Sequence, residues 1–419
     1  VSITLYLFYF LVKEVNRKRN VNFLKSNKYS TRFYVFAFVS VLTLVFAPWD
    51  ALNTSIIEDI KMQIQYIYWM LVAIFFMNIY KYINKEEFEK YIFIGLLLHT
   101  IHFFFFNVHI PNPFIRTFAA RNAFVYTYLA LWPLASGYIY NRFGKTNGNL
   151  SLLVVFLLVL LTDGRAGVVI ILLENIFIYF IYNKASAKMV RLLLLIFIPL
   201  FTILGTTIAT EENRNALGDM AATISPRIGE FIKGEGTGGD LSFDKSWLTR
   251  KLMISKGLEI IEKYPFFGVG IGHYTDYEAE LRELRSPEYG RLGGDIKYDE
   301  AYYNKKSAHN SYIHILSETG IIGFVILLTI LVPVLLYALK KLYSLSITKD
   351  DLMLVSIVGI CIHFYTISSL PGTLTWFVIG LSYARVYKSN IVLNTANKYK
   401  IKYMSNNMNT PFAKTKIQL

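Results

Sequence analysis

The sequence predicts an all-α protein that crosses a membrane many times. Hydrophobic residues make up 54% of its 419 residues and charged residues only 17%. Soluble domains average about 45–50% apolar and about 25% charged residues. Apolar stretches recur along most of the chain, and a spanning helix needs about 20 such residues. A third observation is that the charge of the loops alternates, as it does in multi-pass membrane proteins.

Eleven apolar segments qualify as candidate spans. Their centres lie near residues 6, 41, 72, 99, 131, 156, 174, 199, 329, 360 and 380. The first holds only about twelve apolar residues and starts at Val1, so we interpret it as a truncated span and not as a signal peptide. One more span before it would give twelve in the full chain.

Basic loops alternate with loops that are poor in Lys and Arg. The basic set comprises residues 13–32, 81–90, 141–149, 183–191 and 340–349 and the tail from Lys388. The other set comprises residues 48–61, 107–121, 163–165 and 369–373. The positive-inside rule places the first set in the cytoplasm and the second outside. The net charge of +14 then faces anionic membrane lipid, and no nucleic-acid partner is needed to explain it.

One connection on the predicted outer side is much longer than the others. Because this loop separates the spans into two groups, the sequence predicts four regions. They are an N-terminal membrane bundle (1–209), an extracytoplasmic loop (210–310), C-terminal spans (311–388) and a basic cytoplasmic tail (389–419). Within the loop, apolar residues recur at helical spacing before Pro265, which predicts an amphipathic helix. These residues are Leu248, Leu252, Leu258 and Ile261. Loops of this length with structure of their own are usually functional.

Two arginines in the outer region are candidates for binding an anion. Arg165 lies in an almost loop-free turn between the sixth and seventh spans, so it is expected at the outer membrane boundary. It could equally be an interfacial anchor or pair with Asp163. Arg250 lies on the predicted loop helix, where the alternative is a solvated face.

A glycine-rich segment follows that helix, at residues 268–272. Its spacing is GxGxG and it follows a helix, whereas a dinucleotide site needs GxGxxG after a strand. We therefore predict a tight turn near lipid and no nucleotide site.

His309 is the candidate base. It precedes a predicted short helix, 310–319, which Gly320 interrupts before the ninth span. An imidazole with a pKa of about 6.5 suits proton abstraction from a hydroxyl, and the alternative is a histidine bonded to a backbone carbonyl at the interface. His314 is off the face of His309, so the two are poor joint metal ligands and no metal site is expected. The single cysteine, Cys361, excludes a disulfide framework.

Taken in order, these motifs resemble the O-antigen ligase and repeat-unit polymerase superfamily of bacterial envelopes. The matching pieces are Thr-Asp-Gly-Arg165-Ala-Gly, Arg250 with Pro265 fifteen residues later, Phe267-Gly-Val-Gly-Ile-Gly272, His309-Asn-Ser-Tyr-Ile and Glu318-Thr-Gly-Ile-Ile-Gly323. The resemblance is strongest over about 150–340. One departure is Gly164, where the family often has serine.

The resemblance implies a membrane glycosyltransferase of the C-type helical fold, without metal or cofactor, in the bacterial cytoplasmic (inner) membrane. It would transfer glycan from undecaprenyl diphosphate to an acceptor hydroxyl on the outer side. By analogy, Arg165 and Arg250 would hold the diphosphate and His309 would take the acceptor proton. Tyr312 would line the cleft, and Glu318 would steady the histidine or cap the helix break.

We expect a repeat-unit polymerase for O-antigen or capsule, with the lipid-linked oligosaccharide, membrane lipid and a chain-length regulator as partners. A ligase that attaches finished glycan to lipid A core or protein shares this chemistry and stays open. A flippase or transporter is a rival of another class, but we find no paired repeats or broken midplane spans. A membrane sensor that uses the loop as its binding domain is a further alternative.

Overall fold

The protein is helical throughout the part that the structure describes. The computed structural model describes residues 29–52, 56–106, 118–162, 165–183, 245–281, 302–344, 346–365 and 372–387, with a few isolated positions between them. Over these residues there is no β-strand, and the only strand-like feature is an isolated bridge between Leu52 and Tyr277. The all-α prediction is confirmed for these ranges.

Nine long helices can be followed in the described ranges. They are α1 (Ser30–Val45), α2 (Ile56–Ile79), α3 (Lys85–Ile101), α4 (Phe118–Leu160), α5 (Arg165–Asn183), α6 (Lys245–Lys263), α7 (Ser311–Tyr343), α8 (Leu352–His363) and α9 (373–387). Stretches within α2, α4, α5 and α7 are long and apolar enough to cross a membrane. Nine predicted spans coincide with helices α1–α5 and α7–α9, because α4 contains two of them. The predicted spans near residues 6 and 199 lie outside the described residues. The protein is a membrane protein, and the count of eleven spans stays a prediction.

Helix α4 is a hairpin of two antiparallel arms. Its backbone leaves helical geometry at Gly144, where φ is 83°. The Tyr140 hydroxyl donates to Oδ1 of Asn149 at 2.7 Å, although residues nine apart on a straight helix would be separated by about 13 Å. The chain therefore reverses at Gly144. The reversal falls within the predicted basic loop 141–149, between two predicted spans.

Helix α7 is broken near its start. At Gly320 the backbone has φ 61° and ψ −173°, so the hydrogen bonds of a continuous helix cannot form there. Two carbonyls before the break accept from the glycine-rich segment that follows α6. The amide of Val269 donates to Ser317 O at 3.0 Å, and the amide of Gly270 donates to Glu318 O at 2.9 Å.

The same segment also satisfies the amides beyond the break. The amide of Ile321 donates to Pro265 O at 2.8 Å, and that of Ile322 donates to Phe266 O at 3.3 Å. With the two bonds above, four backbone hydrogen bonds join segment 265–270 to both sides of Gly320. The predicted interruption at Gly320 and the predicted tight turn at 268–272 are therefore confirmed. The backbone groups that the interruption leaves open are hydrogen-bonded by the turn.

The described part of the loop predicted to lie outside, called the outer segment below, has a hydrophobic core of its own, separate from that of the bundle. It is formed by residues of α6, of segment 264–284 and of segment 302–308. The predicted amphipathic helix is confirmed as α6, but its buried face differs from the predicted one. Leu258 is 53% exposed, whereas Leu252, Met253, Lys256 and Ile260 are buried. The buried face includes a lysine, so hydrophobic spacing alone could not identify it.

Replacing Gly320 with Ala should destabilise the protein severely. A Cβ there would lie 2.2 Å from the carbonyl carbon and oxygen of Phe266, in addition to the left-handed φ of 61°. Gly144→Ala is the matched control, since φ is 83° but no atom lies within 4 Å. It should cost only the conformational term of about 1–3 kcal/mol, since this backbone region strongly favours glycine. Thermal unfolding in detergent measures both, and equal losses would contradict the close backbone approach.

Candidate active site

The residues after His309 build the start of α7. Asn310 is the N-cap, and its Oδ1 accepts from the amides of Tyr312 at 3.0 Å and Ile313 at 3.1 Å. Asn is among the preferred N-cap residues because its side chain satisfies amides that the first turn leaves without partners. This helix start is thus encoded locally, directly after the candidate base.

Ser311 and Tyr312, the next two residues, are tied to the end of α8 and to Leu370 beyond it. The amide of Ser311 donates to Phe364 O at 2.8 Å, and the Ser311 hydroxyl accepts from the amide of Leu370 at 3.3 Å. The Tyr312 hydroxyl donates to Cys361 O at 2.9 Å. These bonds fix where His309 enters the membrane bundle.

His309 itself has a left-handed backbone. Its φ is 50°, and it is the only residue other than glycine with a positive φ in the ranges that the structure describes. For a residue with a Cβ this conformation costs roughly 1–2 kcal/mol. Such strain is concentrated at functional sites, where the surrounding structure holds it in place.

Two positive charges from different segments act on the His309 imidazole. Its pKa is lowered to about 4, chiefly by burial and then by Arg250 of α6 and by Lys306. Charges perturb a pKa in this way only when they are close. The fold therefore brings Arg250 within electrostatic range of His309, although the two are 59 positions apart in the sequence. Lys306 was not among the predicted site residues.

Arg165 is the first residue of α5. At the other end of α5, the ring of Tyr182 lies 4.9 Å from Nζ of Lys349, next to the start of α8. The two helices are therefore antiparallel, and Arg165 starts at the end of the bundle where α8 finishes. Because Ser311 bonds to Phe364 at that end, the backbones of Arg165 and His309 lie at the same end of the molecule.

The carboxylate of Glu318 is buried and does not face the His309 side of the helix start. Its Oε1 lies 3.1 Å from Nε2 of His314 and accepts from the amide of Tyr274 at 3.3 Å. Its Oε2 accepts from the hydroxyl of Tyr66, on α2, at 3.4 Å. Glu318 thus joins α2, the outer segment and α7, and the histidine that it contacts is His314.

Sequence reasoning missed several residues of this region. The Asn310 cap has a local signal, since an Asn directly before a helical run is a typical N-cap. Tyr66, Tyr274 and Lys306 have none, because their partners are distant in sequence. His314 was considered only as a metal ligand. Among the described residues, no group of three or more His, Cys, Asp or Glu side chains is arranged to hold a metal.

A family model described as O-Antigen ligase matches residues 150–328. Over these residues the chain is similar to that family, which supports the O-antigen ligase and polymerase superfamily. The resemblance drawn from the sequence motifs is thereby confirmed. No curated protein matches the chain.

The matched segment contains every predicted site residue. It runs from the second arm of α4 through α5, α6 and the break at Gly320 into α7. The family indicates a membrane glycosyltransferase of the ligase or polymerase type, which uses lipid-linked oligosaccharide. Arg165, Arg250 and His309 thus all lie within the one matched segment, while several of their neighbours are bonded to residues outside it, such as Tyr66 and Phe364.

Replacing Arg250 with Gln should raise the pKa of His309 from about 4 towards its usual range, since removing a nearby positive charge makes protonation less unfavourable. Burial, the larger cause, remains, so the recovery should be partial. Histidine NMR titrations measure the shift, with His309→Gln assigning the signal. The adjacent exposed residue supplies a control, Lys251→Gln, and an unchanged His309 titration in Arg250→Gln would refute the proximity.

The same lowered pKa gives a stability prediction. The folded state binds the His309 proton less readily than the unfolded state does, so this group stabilises the fold above pH about 6.5. That contribution should be lost as the pH falls towards about 4. Thermal unfolding across this range, compared with His309→Gln, isolates the contribution, and identical pH profiles would contradict it.

Proposed function

We propose that the protein polymerises glycan repeat units by transferring oligosaccharide from undecaprenyl diphosphate to an acceptor hydroxyl on the outer side of the cytoplasmic membrane. The observation that carries the proposal is the proximity of Arg250 and His309 within the segment that matches the family. The product would be O-antigen or capsule, and a chain-length regulator is the proposed protein partner. The eleven or twelve spans and the C-type fold belong to the same proposal.

The reaction needs fixed positive charge at the leaving group. The acceptor oxygen forms a bond to the anomeric carbon while the bond from that carbon to the diphosphate breaks. The electron pair stays on undecaprenyl diphosphate, whose negative charge increases. Arginine stays protonated and can donate two parallel hydrogen bonds to a phosphate. We assign this role to Arg250 and Arg165, which stabilise the charge that develops.

His309 would accept the proton of the acceptor hydroxyl. At neutral pH its imidazole is neutral, as a base must be, but a pKa of about 4 makes it a weak one. A diphosphate bound beside Arg250 would offset the positive charges that lower this pKa. His309 therefore becomes more basic when the donor binds, which couples proton transfer to occupancy of the site.

Tyr312 and Glu318 would contribute in different ways. Tyr312 is only partly buried at the helix start, where it can line a cleft for the sugar. Glu318 is 1% exposed and its carboxylate bonds to three groups of the protein. We therefore assign Glu318 the role of holding the outer segment on the bundle. Of the two predicted substrate-binding residues, only Tyr312 keeps a direct contact with the substrate in this proposal.

A ligase is the second candidate, because the matching family model is described as O-Antigen ligase. It would transfer finished polymer to lipid A core or to protein by the same chemistry. The surface glycan of a deletion strain distinguishes the two. A single capped repeat identifies a missing polymerase, whereas full-length polymer left on its lipid carrier identifies a missing ligase.

His309→Ala and Arg250→Ala should each abolish polymer formation while protein level and topology are unchanged. The first variant removes the base and the second removes a leaving-group cation, so both lose transition-state stabilisation. Complementation of the deletion strain, with glycan resolved on gels, measures the effect. Lys251→Ala is the control for a lost exposed charge on α6. Normal chain lengths in both test variants would end the enzyme hypothesis.

We expect chelators to leave the transfer rate unchanged, because arginines and not a divalent ion would stabilise the diphosphate. The assay uses purified protein with undecaprenyl-diphosphate-linked repeat units extracted from the producing strain. Loss of transfer in EDTA that is restored by a divalent cation would refute the metal-independent mechanism.

A further inference from the structure

A lysine is completely buried in the outer segment, outside the residues assigned above. Lys256 lies on the inner face of α6 and is 0% exposed. Nearby carboxylates are engaged elsewhere: Glu259 with Lys263 at 2.8 Å, and Asp276 with His273 at 3.2 Å. The ammonium group is therefore held by other means.

The Lys256 ammonium contacts a carbonyl and an aromatic ring. Nζ donates to Asn304 O at 2.6 Å and lies 5.0 Å from the centre of the Tyr274 ring. The side chain of Asn304 in turn bonds both the amide and the carbonyl of Ala279, at 3.0 and 3.1 Å. Lys256 thus joins α6 to the segment that leads to His309. That segment is in turn held to segment 277–281 by the side chain of Asn304.

Stability does not account for a lysine at this position. Burying an ammonium group is unfavourable unless its hydrogen bonds are made. Replacing buried ions with apolar side chains of similar volume is often neutral or stabilising. Leu252, Met253 and Ile260 on the same face show that apolar residues suit this core. A specific geometric role explains the lysine better.

The hydrogen bond between Lys256 and Asn304 joins the two segments that contain Arg250 and His309. Arg250 lies six residues before Lys256 on α6, and His309 lies five residues after Asn304. Tyr274, beneath the ammonium, stacks on His314 with ring centres 5.0 Å apart and bonds to Glu318. The Lys256 contact is therefore where α6, the segment before His309 and the broken start of α7 meet.

We propose that Lys256 is a positioning residue that sets the separation of Arg250 and His309 by bonding α6 to the carbonyl of Asn304. The proposal rests on the proposed function, because it assigns Lys256 a part in that same reaction. Lys256 touches neither donor nor acceptor. It determines whether the base and the leaving-group cation face the same glycosidic bond.

The protonation of Lys256 gives this role a pH signature. Its pKa is lowered to about 8, chiefly by burial, and this is partly offset by Asp276, by Glu259 on its own helix and by Glu278. From α7, His314 stacks against the ring of Tyr274, and Glu318 accepts from the amide of Tyr274. A charged donor makes a hydrogen bond about twice as strong as a neutral one. The contact with Asn304 therefore weakens as the pH rises through about 8.

The test measures kcat and the KM for the lipid-linked donor from pH 6.5 to 9.5, using purified protein and extracted undecaprenyl-diphosphate-linked repeat units. In the wild type we expect kcat to fall as the pH rises through about 8. Lys256→Met should lower kcat by about 10²-fold, the effect of a displacement of roughly 1 Å at a catalytic group. Its donor KM should change less than twofold, because Arg250 remains.

Two further variants complete the experiment. Lys256→Arg stays charged across this range, so it should restore much of kcat and move the alkaline fall to higher pH. Lys251→Met, which removes an exposed lysine of the same helix, should behave as the wild type.

The outcomes separate this inference from the proposed function. Activity that survives His309→Ala refutes the proposed function. An active wild type that needs His309, combined with an unaltered kcat in Lys256→Met, overturns the positioning role. If Lys256→Met does not fold, the dependence of the wild-type kcat on pH decides. A constant kcat from pH 7 to 9 also overturns the positioning role.

Discussion

The outer segment is held on the membrane bundle by backbone hydrogen bonds across the break in α7. A helix interrupted in an apolar environment leaves carbonyls and amides without partners, which is strongly unfavourable there. The turn at 265–270 satisfies both sides of Gly320, and only glycine fits where the two backbones approach most closely. Because α6 runs directly into this turn, the position of Arg250 follows from it. The glycine-rich motif therefore holds the outer segment against α7 through its backbone.

A second layer of buried polar groups makes this docking specific. Glu318 receives hydrogen bonds from Tyr66 of α2 and from the amide of Tyr274, and it also contacts His314. A carboxylate inside a protein is tolerated only when such partners are present. A shifted register would leave it without them, so one arrangement of the outer segment is favoured. The position of the candidate site thus depends in part on Glu318, whose carboxylate is engaged within the protein.

The site itself combines positive charge with a strained, neutral histidine. Burial, Arg250 and Lys306 together lower the His309 pKa, and two positive charges at this place suit an anion. The left-handed backbone of His309 is held between the Asn310 cap and the bonds of Ser311 to the end of α8. This combination matches a reaction in which a diphosphate leaves and a hydroxyl loses its proton.

The sequence by itself determined the helical membrane class, the reversal near 141–149, the amphipathic α6, the break at Gly320 and the family, because these depend on local hydropathy, charge and short motifs. It also singled out Arg165, Arg250 and His309 as candidates. Only the tertiary structure decided which face of α6 is buried, that Glu318 contacts His314, and that Lys256 and Lys306 lie near the candidate pair. Those facts depend on contacts between residues far apart in the chain, and a buried lysine runs against the hydrophobic pattern from which burial is inferred.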